Sequence, residues 1–425
     1  MPKALIVSVG GSEDPIVKSI LEHNPDYICF FCSQGSVDKI AVIKNKVLEE
    51  RPEFNFQDYK IVVDDANDLE ECYLKARGCK KKLDEWEIKA SDVVIDYTCG
   101  TKNMSVALAF ATLDFGYEFS YVGGRERTKG GLGIVISGTE ELRVSRNPWN
   151  LFALGKLGLI EELFNRYRFQ AVRQVLGEVR GRNLDRKLEQ FFEILDKLCE
   201  AYFLWDTFRH AEAAERMKLA TKELTSYVDY GGREQYRGFL HSVQGNLDWL
   251  GRIREKTQGG RCLDEVLVVD LFANASRRAE EEKFDDAVAR LYRTIEMCAQ
   301  VEAEKRYGMR SSEILRGQVP EELRDEYVRK YEAEENGKLK VPLKALFRLL
   351  EAKGSEVGKV FMERHDKFKE ILHARNNSIL AHGVSSVKKE AYHKFYDLVC
   401  DFLLSVGYEQ QDMAMQFAKL ELNPL

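Results

Sequence analysis

The sequence predicts an α/β, Rossmann-like N-terminal domain built on a parallel sheet, followed by an all-α connector and a second helical domain. Two observations carry this expectation. Up to about residue 147, short apolar runs of strand character alternate with helical stretches, the pattern of a parallel sheet wrapped by helices. Beyond residue 150 strand character almost vanishes, and apolar residues recur at three- and four-residue spacing between charges.

The strand runs are ALIVSVG from Ala4, YICFFC from Tyr27, YKIVVD from Tyr59, VVIDYT from Val93 and EFSYVGG from Glu118. Between them, helices are expected over about 14–21, 36–50, 67–89 and 102–115. Residues 130–145 read as a Gly-opened hairpin appended to the sheet. Asn147-Pro148-Trp149 marks the end of the domain, since Pro disfavours helix in the residue before it. In the helical part the breaks are Gly231-Gly232 and Gln258-Gly259-Gly260, the second being the better domain joint. Domains are therefore expected over 1–147, 148–260 and 261–425. After the joint, DEVLVVDLFANASRRAEEEKFDDAVARLYRTIE reads as part of one or two long amphipathic helices. Residues 322–340 read as a polar surface excursion, and 341–382 with 386–407 as a final helical pair.

A chain of 425 residues, 44% hydrophobic and 32% charged, describes a soluble globular protein with two or three cores. Its net charge of −6 creates no global attraction to nucleic acid or anionic membrane, so any nucleic-acid contact needs a local basic patch. No apolar run approaches the ~18 residues of a membrane span. The start, MPKALIVSVGG, reads as a first strand rather than a signal peptide, and a cytoplasmic location is expected. Nine cysteines follow no repeating framework, consistent with reduced thiols. Cys29 and Cys32 form a CxxC without a second pair. On a strand, residues three apart point to opposite faces, so the pair is structural and no metal site is expected.

The most informative stretch is VVIDYTCGTKNMSVALA, residues 93–109. A buried strand that turns through small residues into a helix leaves several backbone N–H groups unpaired at the helix start. Such a terminus attracts anions, and Thr98, Thr101 and the Lys102 ammonium reinforce it. A second loop, Ser8-Val9-Gly10-Gly11-Ser12, follows the first strand and should meet this one at the carboxyl edge of the sheet. Gly10 and Gly11 permit close backbone approach to a ligand, while Ser12, Thr98 and Thr101 offer donors to phosphate oxygens. The alternative is that the glycines only shape turns and the threonines cap the helix. GxxxxGK[ST] and GxGxxG are both absent, which demotes NTP hydrolysis and dinucleotide redox chemistry. Glu87-Ile88-Lys89 with Asp64 or Asp65 mimics the D…ExK of metal-dependent nucleases. It falls in what reads as a helix, where those enzymes need a strand.

Near the other end, ILHARNNSILAHG sets Arg375 and His382 seven residues apart. On a helix that is two turns, about 10 Å along one face. One such helix cannot grip a phosphate tightly, but two meeting across a twofold axis bring two Arg and two His into one cleft. There a His near neutral pKa can move the proton of a 2′-OH or of the leaving oxygen. Arg stabilises charge building on the phosphorus oxygens, and Asn376 or Asn377 orients the phosphate or the His. Taken alone, R-x6-H is also satisfied by an ion-paired Arg and a His at a helix C-terminus before Gly383. His373 faces elsewhere. Arg290, Arg293 and Glu296 form an i, i+3 series that reads as a solvated or ion-paired face.

Together the two segments resemble the CRISPR-associated CARF–HEPN ribonucleases that accompany type III interference complexes. DYTCGTKNM is similar to the DxTxGTKxM-like signature of CARF sensors, and RNNSILAH to the R-x4–6-H signature of HEPN nucleases. The order of sensor, helical connector and helical nuclease agrees as well. The resemblance implies a cyclic oligoadenylate activator lined by Gly10, Gly11, Ser12, Thr98, Gly100, Thr101, Lys102 and Asn103. It implies that Arg375 and His382, with Asn376, cleave single-stranded RNA without metal or cofactor and leave a 2′,3′-cyclic phosphate. It also implies a homodimer, with no membrane partner and no stable complex with the interference machinery. Two other readings stay open: a cyclic-oligonucleotide sensor whose helical part is non-catalytic, and an unrelated nucleotide-binding α/β enzyme with a helical oligomerisation domain.

Overall fold

A computed structural model describes residues 2–126, 138–145, 148–180, 184–332, 337–369 and 386–422. The chain divides into two compact units, one of residues 1–156 with 179–189 and the other of 157–178 with 190–425.

In the first unit, β1 (Ala4–Ser8), β2 (Tyr27–Ser33), β3 (Gln57–Val63), β4 (Val93–Asp96) and β5 (Glu118–Gly124) form the parallel sheet in the order 3-2-1-4-5. Helices α1 (Asp14–His23), α2 (Lys39–Glu50), α3 (Leu69–Glu85) and α4 (Lys102–Thr112) connect the strands. β1 is buried on both faces, as the unbroken apolar run requires. Ile6, Cys29, Phe31 and Ile95 face a core shared with residues of α3 and α4, while Leu5, Val7, Ile28 and Phe30 face one shared with α1 and α2. Cys29 and Cys32 fall in opposite cores, as strand geometry demands, and all nine cysteines are free thiols. β6 (Glu140–Ser145) pairs antiparallel with β5. Of the expected hairpin over 130–145, the part up to residue 137 lies outside the described residues.

Helix α3 stops at Glu85, not at residue 89. Its chain reverses through Glu87, a non-glycine residue at φ 57°, and β4 begins only at Val93. Glu87-Ile88-Lys89 therefore lies in a turn rather than in the expected helix, and still not in the strand a metal-dependent nuclease would need.

Among the described residues the second unit is helical apart from one short ladder. The connector region holds α5 (Trp149–Gly155), which belongs to the first unit, and then α6 (Leu157–Asn165), α7 (Phe169–Val179), α8 (Arg186–Asp206), α9 (His210–Asp229) and α10 (Arg237–Lys256), whose residues fall mostly in the second. The stretch after the Gly259-Gly260 joint resolves into two helices, α11 (Glu265–Glu280) and α12 (Phe284–Tyr307). Residues 322–340 are not a mere surface excursion. Glu321–Tyr331 is a helix that buries Leu323 and Tyr327 four residues apart, and Lys338–Leu339 pairs with Ile314–Leu315. The expected helix 341–382 breaks early: Leu343–Ala352 ends at Gly354, φ 78°, and Ser355 caps Glu356–Glu363 by accepting from Gly358 N at 3.4 Å. Lys389–Ser405 is a helix, as expected.

A buried polar cluster ties α8 to α11. Asp206 accepts from Arg277 Nε at 2.9 Å and Asn274 Nδ2 at 2.7 Å, and also pairs with Arg278. Arg277 is fully buried, its guanidinium 3.8 Å from the Phe417 ring centroid. Arg290 and Arg293 are ion-paired, as expected, with Asp286 at 3.5 Å and Glu296 at 2.9 Å, and Arg290 also bonds Asn274 within this cluster. Asp206→Ala would strand a buried guanidinium, and such a broken pair costs roughly 3–5 kcal/mol. The expected result is a clear drop in the urea midpoint, with Asp206→Asn milder because it keeps an acceptor. An unchanged midpoint for the alanine variant would show that the cluster does not hold these helices.

Candidate functional site

In a 3-2-1-4-5 sheet the strand order reverses between β1 and β4, and ligands of such sheets sit in the crevice beyond the carboxyl ends of those strands. The two loops singled out in the sequence leave these strands and touch there. A Cβ built on Gly10 would lie 2.3 Å from Gly100 N, so the backbones meet with no space for a side chain. Gly100 sits at φ 90°, a conformation that favours glycine, while its neighbour Cys99 is buried, its thiol pushed up to about 12 by desolvation.

Asp96, which opens the DYTCGTKNM segment but was given no role in the sequence, holds the turn. Its carboxylate accepts from Thr98 N at 2.9 Å, from Ser19 Oγ at 2.5 Å and from Ser120 Oγ at 3.2 Å. Because the Ser120 hydroxyl donates to Asp96, it accepts from His23 Nε2 at 2.9 Å, and burial lowers the pKa of that His. The Cys99 carbonyl is pinned by Ser8 Oγ at 2.6 Å and Ser105 Oγ at 3.1 Å. The loop is thus fixed before any ligand arrives.

The side chains expected to donate to phosphate divide into two groups. Thr98 Oγ1 accepts from Val122 N at 2.7 Å, tying the loop to β5. Thr101 caps α4, accepting from Met104 N at 3.2 Å and donating to Ala66 O at 2.8 Å. Asn103 Nδ2 donates to Asn67 O at 2.5 Å. Only Thr101 carries the capping role weighed for the two threonines, and Thr101 and Asn103 recruit the loop after β3, for which the sequence held no signal. Lys102, Gly11 and Ser12 are exposed. Among the described residues neither the Lys102 ammonium nor the Ser12 hydroxyl has a protein partner. With Thr101 taking Met104 N, the N–H groups of Lys102 and Asn103 are left at the open end of α4. Lys39 of α2 also reaches the rim, bonding Gly11 O and Glu13 at 2.9 Å, and it holds the Glu13 carboxyl below its ordinary range. The open groups of the crevice are therefore cationic and N–H donors, suited to a ligand rich in phosphate oxygens.

Arg375, Asn376 and His382 lie outside the described residues. The helical half is nonetheless placed by its sequence. Residues 152–248 match the family model for the Csm6 6H domain and residues 261–405 that for the Csm6 HEPN domain, together more than half of the chain. The chain belongs to the CRISPR-associated Csm6 family. A solved Csm6, that of Enterococcus italicus bound to cyclic hexa-2′-fluoro-hexa-dAMP, aligns over 97% of both chains with a TM-score of 0.60 at 13% identity, and so shares the Csm6 fold. Can2 from Sulfobacillus thermosulfidooxidans in complex with cyclic tetra-adenylate aligns over 50% of this chain and 68% of its own at 12% identity. VC1899 from Vibrio cholerae aligns over 60% and 69% at 11% identity. Both of these have TM-scores of 0.23, too low to bear on the site. No curated protein matches the Csm6-type sequence described here.

Proposed function

We propose that this chain is a ribonuclease of type III CRISPR defence, switched on by a cyclic oligoadenylate bound at the β1–β4 crevice. The observation that carries the reading is the backbone contact of Gly10 with Gly100 at the switch point, under the open start of α4. It is supported by the family's HEPN domain in the other half of the chain and by the cyclic ligand of the Enterococcus italicus Csm6. Gly10, Gly11, Ser12, Gly100 and Lys102 meet the ligand's phosphates, while Thr98, Thr101 and Asn103 shape the pocket. Arg375 and His382, assisted by Asn376, cleave RNA by attack of the 2′-OH on the adjacent phosphorus. The 5′-oxygen departs with a proton and a 2′,3′-cyclic phosphate remains, so no metal is needed. The domains are 1–147, 148–260 and 261–425.

A second copy completes the pocket. On α4, Lys102, Val106 and Phe110 succeed one another at four-residue steps on one face, and Val106 and Phe110 are 43% and 63% exposed. Leu69, Tyr73 and Leu74 of α3 are exposed as well. Apolar side chains in such a row are what an isologous twofold contact would cover, and that contact sets two Lys102 ammoniums about one ligand of even symmetry. Phe110→Asp should give a monomer by light scattering, and activator affinity should fall at least about tenfold because half of the shared site is lost. A variant that stays dimeric would place the interface elsewhere.

The deciding assay incubates protein and RNA in excess chelator, with and without synthetic cyclic tetra- and hexa-adenylate. Cleavage only with activator, ending in cyclic phosphate, is the expected result. Binding of the activator without cleavage would make the chain a non-catalytic sensor. Absence of binding would overturn the activator reading.

A further inference from the structure

We propose that the groove between α11, α12 and the helix Lys389–Ser405 seats an unpaired RNA base bearing an exocyclic amino group, and so sets which sequences are cut. This rests on the ribonuclease reading. A cavity of about 470 Å³ opens here, within the range of small-molecule sites, and its lining includes Ser276, Phe284, Tyr392, His393 and Tyr396. A neighbouring cavity of about 510 Å³ shares Glu282 and Phe284 with it and ends at Ser386 and Val387. Val387 N donates to the Asp285 carboxylate at 3.2 Å, and in the chain Val387 is five residues beyond His382. The groove is thus tethered to the segment that carries the proposed catalytic His.

Its floor is aromatic and rigid. Tyr396 stacks on Phe272 with ring centroids 4.8 Å apart, and Tyr392 lies 5.8 Å from Tyr396 and 5.9 Å from Phe284. Tyr392 is 4% exposed, so the ring cluster is set in place by its own packing without a ligand. Phe284 and Tyr396, the half-buried rings of the lining, are platforms on which single-stranded bases stack regardless of sequence.

The rim adds the discrimination. It is not a basic stripe that would track phosphates: Lys389 and His393 face it together with Glu280 and Glu282. Glu280 has Lys419 at 3.5 Å, whereas Glu282 sits in the turn between α11 and α12, at φ 62°. The bonds from Glu282 N to Ala279 O and from Lys283 N to Arg278 O, both 2.9 Å, pin that turn. A carboxylate carried on this pinned backbone accepts from the amino group of adenine or cytosine and repels the carbonyl that uracil presents in its place. Lys389 remains for the flanking phosphate.

The test uses the full chain with cyclic oligoadenylate. One arm measures cleavage of matched RNAs whose single unpaired site is flanked by adenine or by uracil. The second titrates an RNA carrying 2-aminopurine into the Arg375→Ala, His382→Ala double variant and follows its fluorescence. The expected results are preference for the adenine-flanked RNA and quenching by stacking. Glu282→Gln should lower the preference about tenfold, and His393→Ala should weaken the quench, both with unchanged melting. These two rim variants avoid the buried floor. Cleavage that ignores the flanking base in the unsubstituted protein, or a preference and quench that both survive Glu282→Gln and His393→Ala, would overturn the pocket. Quenching lost in the rim variants of a protein that never cleaves RNA would instead uphold the pocket and overturn the ribonuclease reading.

Discussion

Replacing either Arg375 or His382 by alanine should abolish activated RNA cleavage while leaving activator binding and thermal stability as they are. A positioned general acid–base is worth roughly 10²–10⁴ in rate, and a group stabilising developing charge roughly 10²–10³. In the proposed twofold cleft both halves come from copies of this chain, so the substitution would remove both copies of the group at once and leave no intact half-site to mask the loss. Residual cleavage below about a thousandth of the parent rate is the expected reading for His382→Ala. The plainer role for these residues, an ion-paired Arg and a His at a helix end, predicts the opposite signature. Melting would then shift by the order of a kcal/mol while the activity of the folded fraction persisted. Measuring melting and turnover on the same preparations separates the two.

What was legible in the sequence was what depends on chain-local patterning. The parallel sheet followed from apolar runs bounded by small residues, and the meeting of the Gly10 and Gly100 loops followed from strand order once the sheet was assumed. Helix ends were harder where glycine was missing. Glu87, Tyr167, Phe208 and Glu282 all take positive φ just past a helix, so a bulky residue does what Gly usually marks, and the stop after α3 left no trace in composition. Gly354-Ser355 shows the reverse case, a C-terminal glycine and an N-cap serine lying in plain view within a segment read as one helix. Burial of charge was not legible at all. The run SRRAEEEK was read only as part of an amphipathic helix, yet Arg277 is fully buried against Phe417, which follows it by 140 positions in the chain. Which polar residue finds a distant partner is a property of packing, and a one-dimensional pattern does not contain it. The same limit applies to Thr98, Thr101 and Asn103, whose polar groups were recognised but whose protein partners at Val122, Ala66 and Asn67 were not.

The crevice itself can be tested with one methyl group. Gly10→Ala places a Cβ 2.3 Å from Gly100 N and 3.0 Å from Gly100 Cα, both backbone atoms, so neither can swing aside as a side chain would. Relief requires the two loops to part by the order of an ångström, and a misplacement of that size in a preorganised site costs roughly 10² in the function it serves. Activator affinity should therefore fall about a hundredfold. Gly11→Ala is the matched control. It lies next along the same loop and is more exposed, with nothing within 4 Å of the added carbon and no left-handed φ to strain. It should bind like the parent unless the ligand lies directly against it, in which case both variants weaken and the melting profile distinguishes them, since only Gly10→Ala disturbs the protein without ligand. Parent-like affinity for Gly10→Ala would mean that the contact between the loops is only a packing feature. The activator would then have to be sought away from the strand-order reversal, and the assignment of Lys102 and Ser12 to its phosphates would fall with it.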